Sequence, residues 1–255
     1  MNNDKIVLGV DFGGSGIKGA PVNIKTGELL EKRYRLETPA KATPSAVAKV
    51  VKEIVEKFKW QGMLGIGFPA VVRQGIVYTA ANIDKAWIGT NTIKLFNEAT
   101  RCDSLVLNDA DAAGIAEMKY GAGQKKKGLV FLVTVGTGIG TAIFVKRKLV
   151  PNTELGHVYL PNGKEAEAYT SDAARKKENL SWDVWAMRFN EYLTYIEGLF
   201  WPELIIIGGG VSKKMDKFAR HITIKTSYCA ARMLNEAGIA GAAVAAYKAK
   251  KLALK

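Results

Sequence analysis

Short continuous apolar runs that end in glycine set the rhythm of this chain. Residues 5–10 form the first run and lead into Asp11-Phe-Gly-Gly-Ser-Gly-Ile-Lys18. Residues 19–24 alternate weakly, the turn Lys25-Thr-Gly-Glu28 follows, and residues 29–36 make a third run. The pattern predicts strand, glycine loop, strand, tight turn, strand. A dinucleotide fold or a P-loop needs a helix directly after its glycines, so this glycine loop is expected to be a hairpin turn.

The period then lengthens. Val47, Val50, Val51, Ile54, Val55 and Phe58 recur at helical spacing behind Thr43-Pro44, with Lys49, Lys52, Glu53, Glu56 and Lys57 opposite them. This predicts a capped amphipathic helix with a core face. Strands are expected at 63–68, ending in Gly65-Ile-Gly-Phe-Pro-Ala70, and at 105–108, followed by a helix through Met118. Residues 129–135 are a continuous apolar strand entering Gly136-Thr-Gly-Ile-Gly-Thr141; residues 142–145 return, Lys146-Arg-Lys148 turns, and 149–150 resume. Strand, glycine hairpin, strand, basic turn and strand thus occur twice, which predicts two related α/β lobes. Trp182, Trp185, Phe189, Tyr192, Leu193, Ile196 and Leu199 mark the core stripe of a long helix over 181–200. A last buried strand at 204–207 runs into Gly208-Gly-Gly-Val-Ser212, with a helix start expected at Lys213. Residues 230–254 read as helical, alanine-rich and basic.

Composition narrows the setting. No apolar run approaches a membrane span and no signal-peptide pattern opens the chain, so a cytoplasmic protein is expected. Cys102 and Cys229 lie far apart, which excludes a cysteine-cluster zinc site and suggests no disulfide framework. The net charge of +13 over 255 residues points to polyanionic company: nucleic acid, a membrane surface or a phosphate-rich substrate.

Candidate chemistry gathers at the glycines. Gly13, Gly14 and Gly16 are expected to take positive φ and bring backbone N–H groups close to a phosphate. Asp11 would face a metal ion, with Ser15 and Lys18 as hydroxyl donor and cation. The third glycine element has the strand–loop–helix form that favours anions. Asp109 has two readings: a general base at the edge of a parallel strand, or merely the N-cap that satisfies Ala112 or Ala113. Asn82 and Trp87 share a loop that suits a sugar or is simply packed, and His157 is either a ligand or a satisfied loop residue. The run Lys125, Lys126, Lys127 is either a solvated loop or, with Lys146, Arg147, Lys148, Lys213, Lys214 and Lys217, a cationic track beside the glycine elements.

Six stretches resemble the actin-like sugar kinases, and among them the ROK family and its polyphosphate glucokinases. They are Gly9-Val-Asp-Phe-Gly-Gly-Ser-Gly-Ile-Lys18, Gly65-Ile-Gly-Phe-Pro69, Asn108-Asp109, Gly136-Thr-Gly-Ile-Gly140, Glu154-Leu-Gly-His157 and Ile206-Ile-Gly-Gly-Gly-Val-Ser212. The resemblance implies an RNase H-like fold of two lobes around a cleft. One lobe would be residues 1–108, with the helix at about 238–255 packing back on it, and the other residues 109–237. It implies Asp109 as catalytic base and Asn82, Asn108, Glu154, His157 and Glu167 as sugar contacts, with Glu165 a near rival of Glu167. Asp11, Gly13, Gly14, Ser15, Gly16, Lys18, Gly136, Thr137 and Gly138 would bind phosphates, with Gly208, Gly209, Gly210 and Lys213 on the donor side. Mg²⁺ near Asp11 is implied. Many ROK proteins carry a cysteine-rich zinc loop after Glu-x-Gly-His, but residues 158–166 contain no cysteine, so no zinc is expected. The expected reaction moves a phosphoryl group from inorganic polyphosphate and ATP to the 6-hydroxyl of glucose, with mannose as a further acceptor. A homodimer is implied as well, although the residue pattern itself does not set subunit number. Two rivals stand: an ATP-only hexose or amino-sugar kinase, and a sugar-responsive DNA-binding repressor. The first strand at Lys5 leaves no room for the repressor's helix-turn-helix, so no nucleic acid partner is expected.

Overall fold

The structure is a computed structural model that describes residues 5–253; the last two positions of the helix expected over 238–255 lie outside the described residues. The chain divides into two compact units, one holding residues up to Ala116 and from Glu236 onward, the other Glu117–Asn235.

In the first unit, β1 (Ile6–Gly13), β2 (Gly16–Asn23) and β3 (Tyr34–Leu36) form an antiparallel meander. The third strand is shorter than the pattern suggested. Its first half peels away after a single bridge from Leu29 to Val22, and Leu30 is exposed. Helix α1 (Pro44–Lys57) begins where Thr43 accepts the Ala46 N–H, and its Val47, Val51, Ile54 and Val55 are buried as the spacing predicts. Then β4 (Leu64–Phe68) pairs parallel with β1, the small β5 (Val72–Arg73) and β6 (Ile76–Val77) form a ribbon, and α2 (Thr92–Thr100) leads to β7 (Ser104–Asn108). Helix α2 was not legible in the pattern. β7 pairs parallel with β4, giving the order β3-β2-β1-β4-β7. Trp87, expected in a polar loop, is fully buried. Its ring meets Phe68 edge-on at 4.6 Å, and its indole N–H donates to the Ala42 carbonyl at 2.7 Å. It is core and cannot stack on a sugar.

Helix α3 (Asp109–Tyr120) carries the chain out of this unit. The second unit repeats the plan strand for strand. β8 (Leu129–Val135), β9 (Ile139–Val145) and β10 (Lys148–Val150) are antiparallel neighbours. The short helices α4 (Ala166–Thr170) and α5 (Asp172–Lys177) precede α6 (Trp182–Phe200), which Ser181 caps. Trp185, Phe189, Tyr192, Leu193 and Ile196 of α6 are buried as expected, whereas Leu199 faces solvent. β11 (Leu204–Gly209) runs parallel to β8. No regular helix starts at Lys213: a 3₁₀ turn spans 210–214 and α7 (Met215–Phe218) is a single turn. β12 (Tyr228–Ala230), whose last residue fell in the helix expected over 230–254, pairs parallel with β11 and completes the order β10-β9-β8-β11-β12. Both sheets therefore consist of an antiparallel hairpin, a further antiparallel edge and two parallel strands, in the same order.

Helix α8 (Ala237–Ala253) returns to the first unit and packs on its sheet. The contact is backbone on backbone. A Cβ at Gly9 would lie 2.1 Å from the Ile239 carbonyl oxygen, one at Gly65 2.1 Å from that of Ala242, and one at Gly241 1.6 Å from that of Ala112. Among the described residues no helix is long and apolar enough to cross a membrane.

This packing reverses an ordinary preference. In an open helix Gly→Ala gains about 1 kcal/mol. At Gly241 the added methyl must push two backbones apart, and overpacking of that kind costs roughly 1–3 kcal/mol. Chemical denaturation should show Gly241→Ala destabilised by about that amount. Gly198→Ala in α6, where nothing lies within 4 Å, should be neutral or stabilised.

Candidate active site

In each unit the glycine loop sits at the carboxyl edge of the parallel strands, where open α/β sheets hold ligands. In the first unit that edge collects the 13–16 hairpin, the end of β4 and the end of β7, since Asp11 pairs with Gly67 and Phe68 with Asn108. None of Gly13, Gly14 and Gly16 is in the left-handed region, contrary to the expectation. They provide room instead. Nothing lies within 4 Å of a Cβ built on Gly14, and one on Gly16 would meet the Arg35 guanidinium. The hairpin carbonyls are tied back: Arg35 Nη2 donates to Ser15 O at 2.6 Å and Thr38 Oγ1 to Gly13 O at 2.7 Å. Neither residue was singled out in the sequence, because they lie about twenty residues on and only strand pairing returns them.

Asn108 and Asp109 divide the labour that the sequence left open. Asn108 is buried, and its Oδ1 accepts the N–H groups of Ala110 (2.9 Å) and Asp111 (3.1 Å), while its Nδ2 donates to Ala70 O at 3.3 Å. The cap of α3 is therefore Asn108. Asp109 is the first residue of the helix, half-buried, with Oδ1 accepting the Ala110 N–H at 2.8 Å. Gly67 of β4 faces this turn: a Cβ there would be in ordinary van der Waals contact with Asp109 Cα at 3.6 Å. Asn82 is exposed in the loop before Trp87.

Asp11 pairs with Lys18, Oδ2 to Nζ 3.0 Å. Its carboxylate also lies where a side chain on Gly238, in the first turn of α8, would be, within 2.7–3.0 Å. Among the described residues no group of three or more His, Cys, Asp or Glu could hold a metal ion. A single carboxylate without a protein cage suits Mg²⁺ that arrives on donor phosphates with its waters, and does not suit a resident ion.

The second unit gathers Glu154, His157, Glu165 and Glu167 beside its own hairpin. Residues 158–166 fold into a small hairpin, with Tyr159 bridged to Glu165 and Ala166 N–H bonded to Val158 O. It returns Glu165 to His157, whose Nδ1 lies 2.7 Å from Glu165 Oε1, while Nε2 is 3.7 Å from Glu154 Oε2. Glu167 accepts the Ile139 N–H at 2.8 Å and occupies the space a side chain on Gly138 would need. Gly136 is open, nothing lying within 4 Å of its added Cβ. Gly209 does adopt positive φ (75°), against the Val135 backbone, and Ser212 Oγ closes the turn on its carbonyl at 2.8 Å. Gly208 is buried and Gly210 and Lys213 are exposed on the same edge.

The cations do not form one track. Lys125–Lys127 precede β8 and Lys146–Lys148 follow β9, at the far end of a hairpin whose glycine tip is 136–138. Seven residues of β9 at about 3.3 Å each separate the two ends by roughly 23 Å. Arg147 is committed to the carbonyls of Met118 (2.7 Å) and Gln124, and Lys126 to Glu203 (3.2 Å). Only Lys213, Lys214 and Lys217 follow β11 at the glycine edge.

Charge in the cluster shifts its protonation. Removal from water is the largest influence on His157 and lowers its pKa. The Glu165 hydrogen bond and the charges of Glu167, Glu165 and Glu154 together outweigh it, and the imidazole ends above its ordinary value. Burial raises the Glu154 carboxyl; the His157 charge opposes this and that of Glu167 adds to it. An imidazolium favoured by folding stabilises the fold below the ordinary histidine range, and that contribution fades as pH rises through the raised value. An NMR titration of His157 should therefore give a midpoint above about 6.5. Glu165→Gln should bring it down, and an unchanged midpoint would remove Glu165 as the cause.

Residues 7–178 match the ROK family. Over 239 residues the chain is 47% identical to a polyphosphate glucokinase of Mycobacterium tuberculosis, spanning 93% of this chain and 90% of that protein. With a Mycobacterium leprae polyphosphate glucokinase it shares 46% over 239 residues, spanning 93% and 74%. The solved inorganic polyphosphate/ATP-glucomannokinase of Arthrobacter sp. strain KM superposes with a TM-score of 0.92 at 41% identity, over 96% of this chain and 99% of that one. With its repeated sheet plan, its glycine hairpins and these likenesses, the chain belongs to the ROK family and has the actin-like fold of its sugar kinases.

Proposed function

We propose that the chain is a sugar kinase that transfers a phosphoryl group from inorganic polyphosphate, and from ATP, to the 6-hydroxyl of glucose. The observation that carries the catalytic assignment is the cap exchange at β7–α3. Because Asn108 caps the helix, Asp109 stands as a carboxylate on its first turn, at the same strand edge as the phosphate hairpin. The polyphosphate glucokinase relatives support the donor and the acceptor. Mannose is proposed as a second acceptor, on the likeness to a glucomannokinase.

In this reading Asp109 takes the hydroxyl proton as the sugar oxygen bonds to the terminal phosphorus. The bridging P–O bond of the donor breaks, leaving glucose 6-phosphate and a donor shorter by one phosphate. Hairpin N–H groups and Lys18 hold phosphate oxygens, and positioning with charge stabilisation carries most of the rate. Asp11 would hold Mg²⁺, which when bound neutralises donor charge. Glu154 and His157 bracket sugar hydroxyls, and Glu167 links the sugar to the second hairpin through the Ile139 N–H. Asn108 acts through α3, since its amide is engaged with backbone.

Glucose phosphorylation assayed with nucleotide-free polyphosphate and with ATP tests the donor. Absence of glucose 6-phosphate from polyphosphate would leave an ATP-only kinase. Asp109→Asn keeps the shape and removes the basicity, so kcat should fall roughly 10²–10⁴-fold with the fold intact. Near-normal turnover by a folded variant would sink the assignment. The charge groups give a separate expectation. Replacing Lys213 and Lys214 by Gln should raise the polyphosphate KM more than replacing Lys125, Lys126 and Lys127, and steady-state kinetics at fixed glucose decides it.

A further inference from the structure

Three strands bring charge onto one face beside the first glycine hairpin. Asp11 on β1 lies opposite Lys18 on β2, and Lys18 lies opposite Arg35 on β3. Directly paired residues share a face, so the row reads minus, plus, plus. Lys18 and Asp11 neutralise one another at 3.0 Å, with side chains only 22% and 15% exposed. Arg35 is exposed; whereas Arg175, Arg188 and Arg220 each hold a carboxylate, Arg35 holds a backbone carbonyl, as Arg147 does. Among the described residues no carboxylate lies within ion-pair distance of Arg35; its printed partner is the Ser15 carbonyl at 2.6 Å. Its guanidinium lies flat on Gly16, where a Cβ would be 2.6–2.7 Å from Nε, Cζ and Nη2.

Because Asp11 already neutralises Lys18, the charge left over in this row is that of Arg35. A guanidinium also carries five N–H donors in a planar fork, so one bond to Ser15 leaves others for phosphate oxygens, which it grips in pairs. We infer that Arg35 is a ligand of the donor's phosphate chain, completing with Lys18 and the 13–16 hairpin a phosphate site that Gly16 keeps open for the guanidinium. The inference rests on the reading that a phosphoanhydride donor serves this hairpin. It adds to that reading a residue on a third strand.

Calorimetric titration with nucleotide-free polyphosphate and, separately, with ATP at three salt concentrations tests it without turnover. For the donor that the unaltered protein binds, Arg35→Gln should weaken affinity on the order of tenfold, the loss of one charged hydrogen-bonded contact. With polyphosphate its log–log salt slope should become shallower by about 0.7, one phosphate contact on a flexible polyanion. Arg35→Lys should keep the slope. Gly16→Ala should displace the guanidinium and follow the Gln variant. Glucose affinity should stay unchanged for both Arg35 variants. An unchanged slope for Arg35→Gln overturns the inference even if affinity falls, because a residue that only ties Ser15 in place changes affinity and not the number of phosphate contacts. If the unaltered protein binds ATP and not polyphosphate, the polyphosphate reading fails, and ATP affinity then decides Arg35: a loss on the order of tenfold in Arg35→Gln supports it and an unchanged affinity overturns it. If it binds neither donor, both fail.

Discussion

Backbone lying directly on backbone, where α8 crosses β1, β4 and α3, is the constraint on which the first unit depends. Gly9, Gly65 and Gly241 each occupy a place where a methyl group would overlap a carbonyl oxygen of the facing element. The alanine-rich composition of α8 follows from that distance, since its buried residues are glycine, alanine, isoleucine and valine. Such contact trades side-chain volume for proximity. It fixes the height of α3 over the sheet through Ala112, one turn beyond Asp109. It also sets the first turn of α8 against Asp11 through Gly238, where the partial positive charge of a 17-residue helix favours a carboxylate. The candidate base and the candidate metal-facing carboxylate are thus positioned by the same glycine contacts.

Around that scaffold, the candidate ligand groups are themselves tied to the backbone or to one another. Asn108 caps α3, and Asp109 accepts the Ala110 N–H beside it. Thr38 and Arg35 hold the hairpin carbonyls of Gly13 and Ser15, which turns the task of binding anions over to N–H groups and cations. In the second unit Glu165 fixes the His157 ring through Nδ1, and Glu167 is tied to the strand leaving the glycine tip. Asp109, His157 and Glu167 thus each have a neighbour that restricts the rotamer, the condition under which positioning can contribute to rate.

The duplicated sheets give that arrangement twice and explain the distribution of charge. In both units the glycine loop and the ends of the parallel strands share an edge, while in the second the basic turn Lys146-Arg-Lys148 lies at the opposite end of the hairpin. The second unit therefore has cations at both ends of β9, about a strand's length apart. Only the set after β11 shares the glycine edge, and the other set is partly consumed in holding its own loop through Arg147 and Glu203.

The sequence by itself determined the elements whose causes are local. Both hairpins were legible because an apolar run resumes directly after each glycine group, where a dinucleotide fold or a P-loop would need a helix. The cap at Thr43 was legible because a hydroxyl just before proline and a periodic run reads as a helix start. The pairing of Asn108 with Asp109 at a strand edge was legible for the same reason, as was the doubling of the plan. Tertiary structure decided everything that depends on what lies across. Whether Asn108 or Asp109 caps α3 turns on an amide reaching the Ala70 carbonyl. Trp87 is core because three phenylalanines of other elements surround it. The glycines of 13–16 serve space rather than φ because Arg35 arrives from another strand. β12 was not legible because three residues gain strand geometry only from β11 beside them. Lysines that look like one track in a list of residues separate once a seven-residue strand is laid between them, because a strand converts sequence spacing into length.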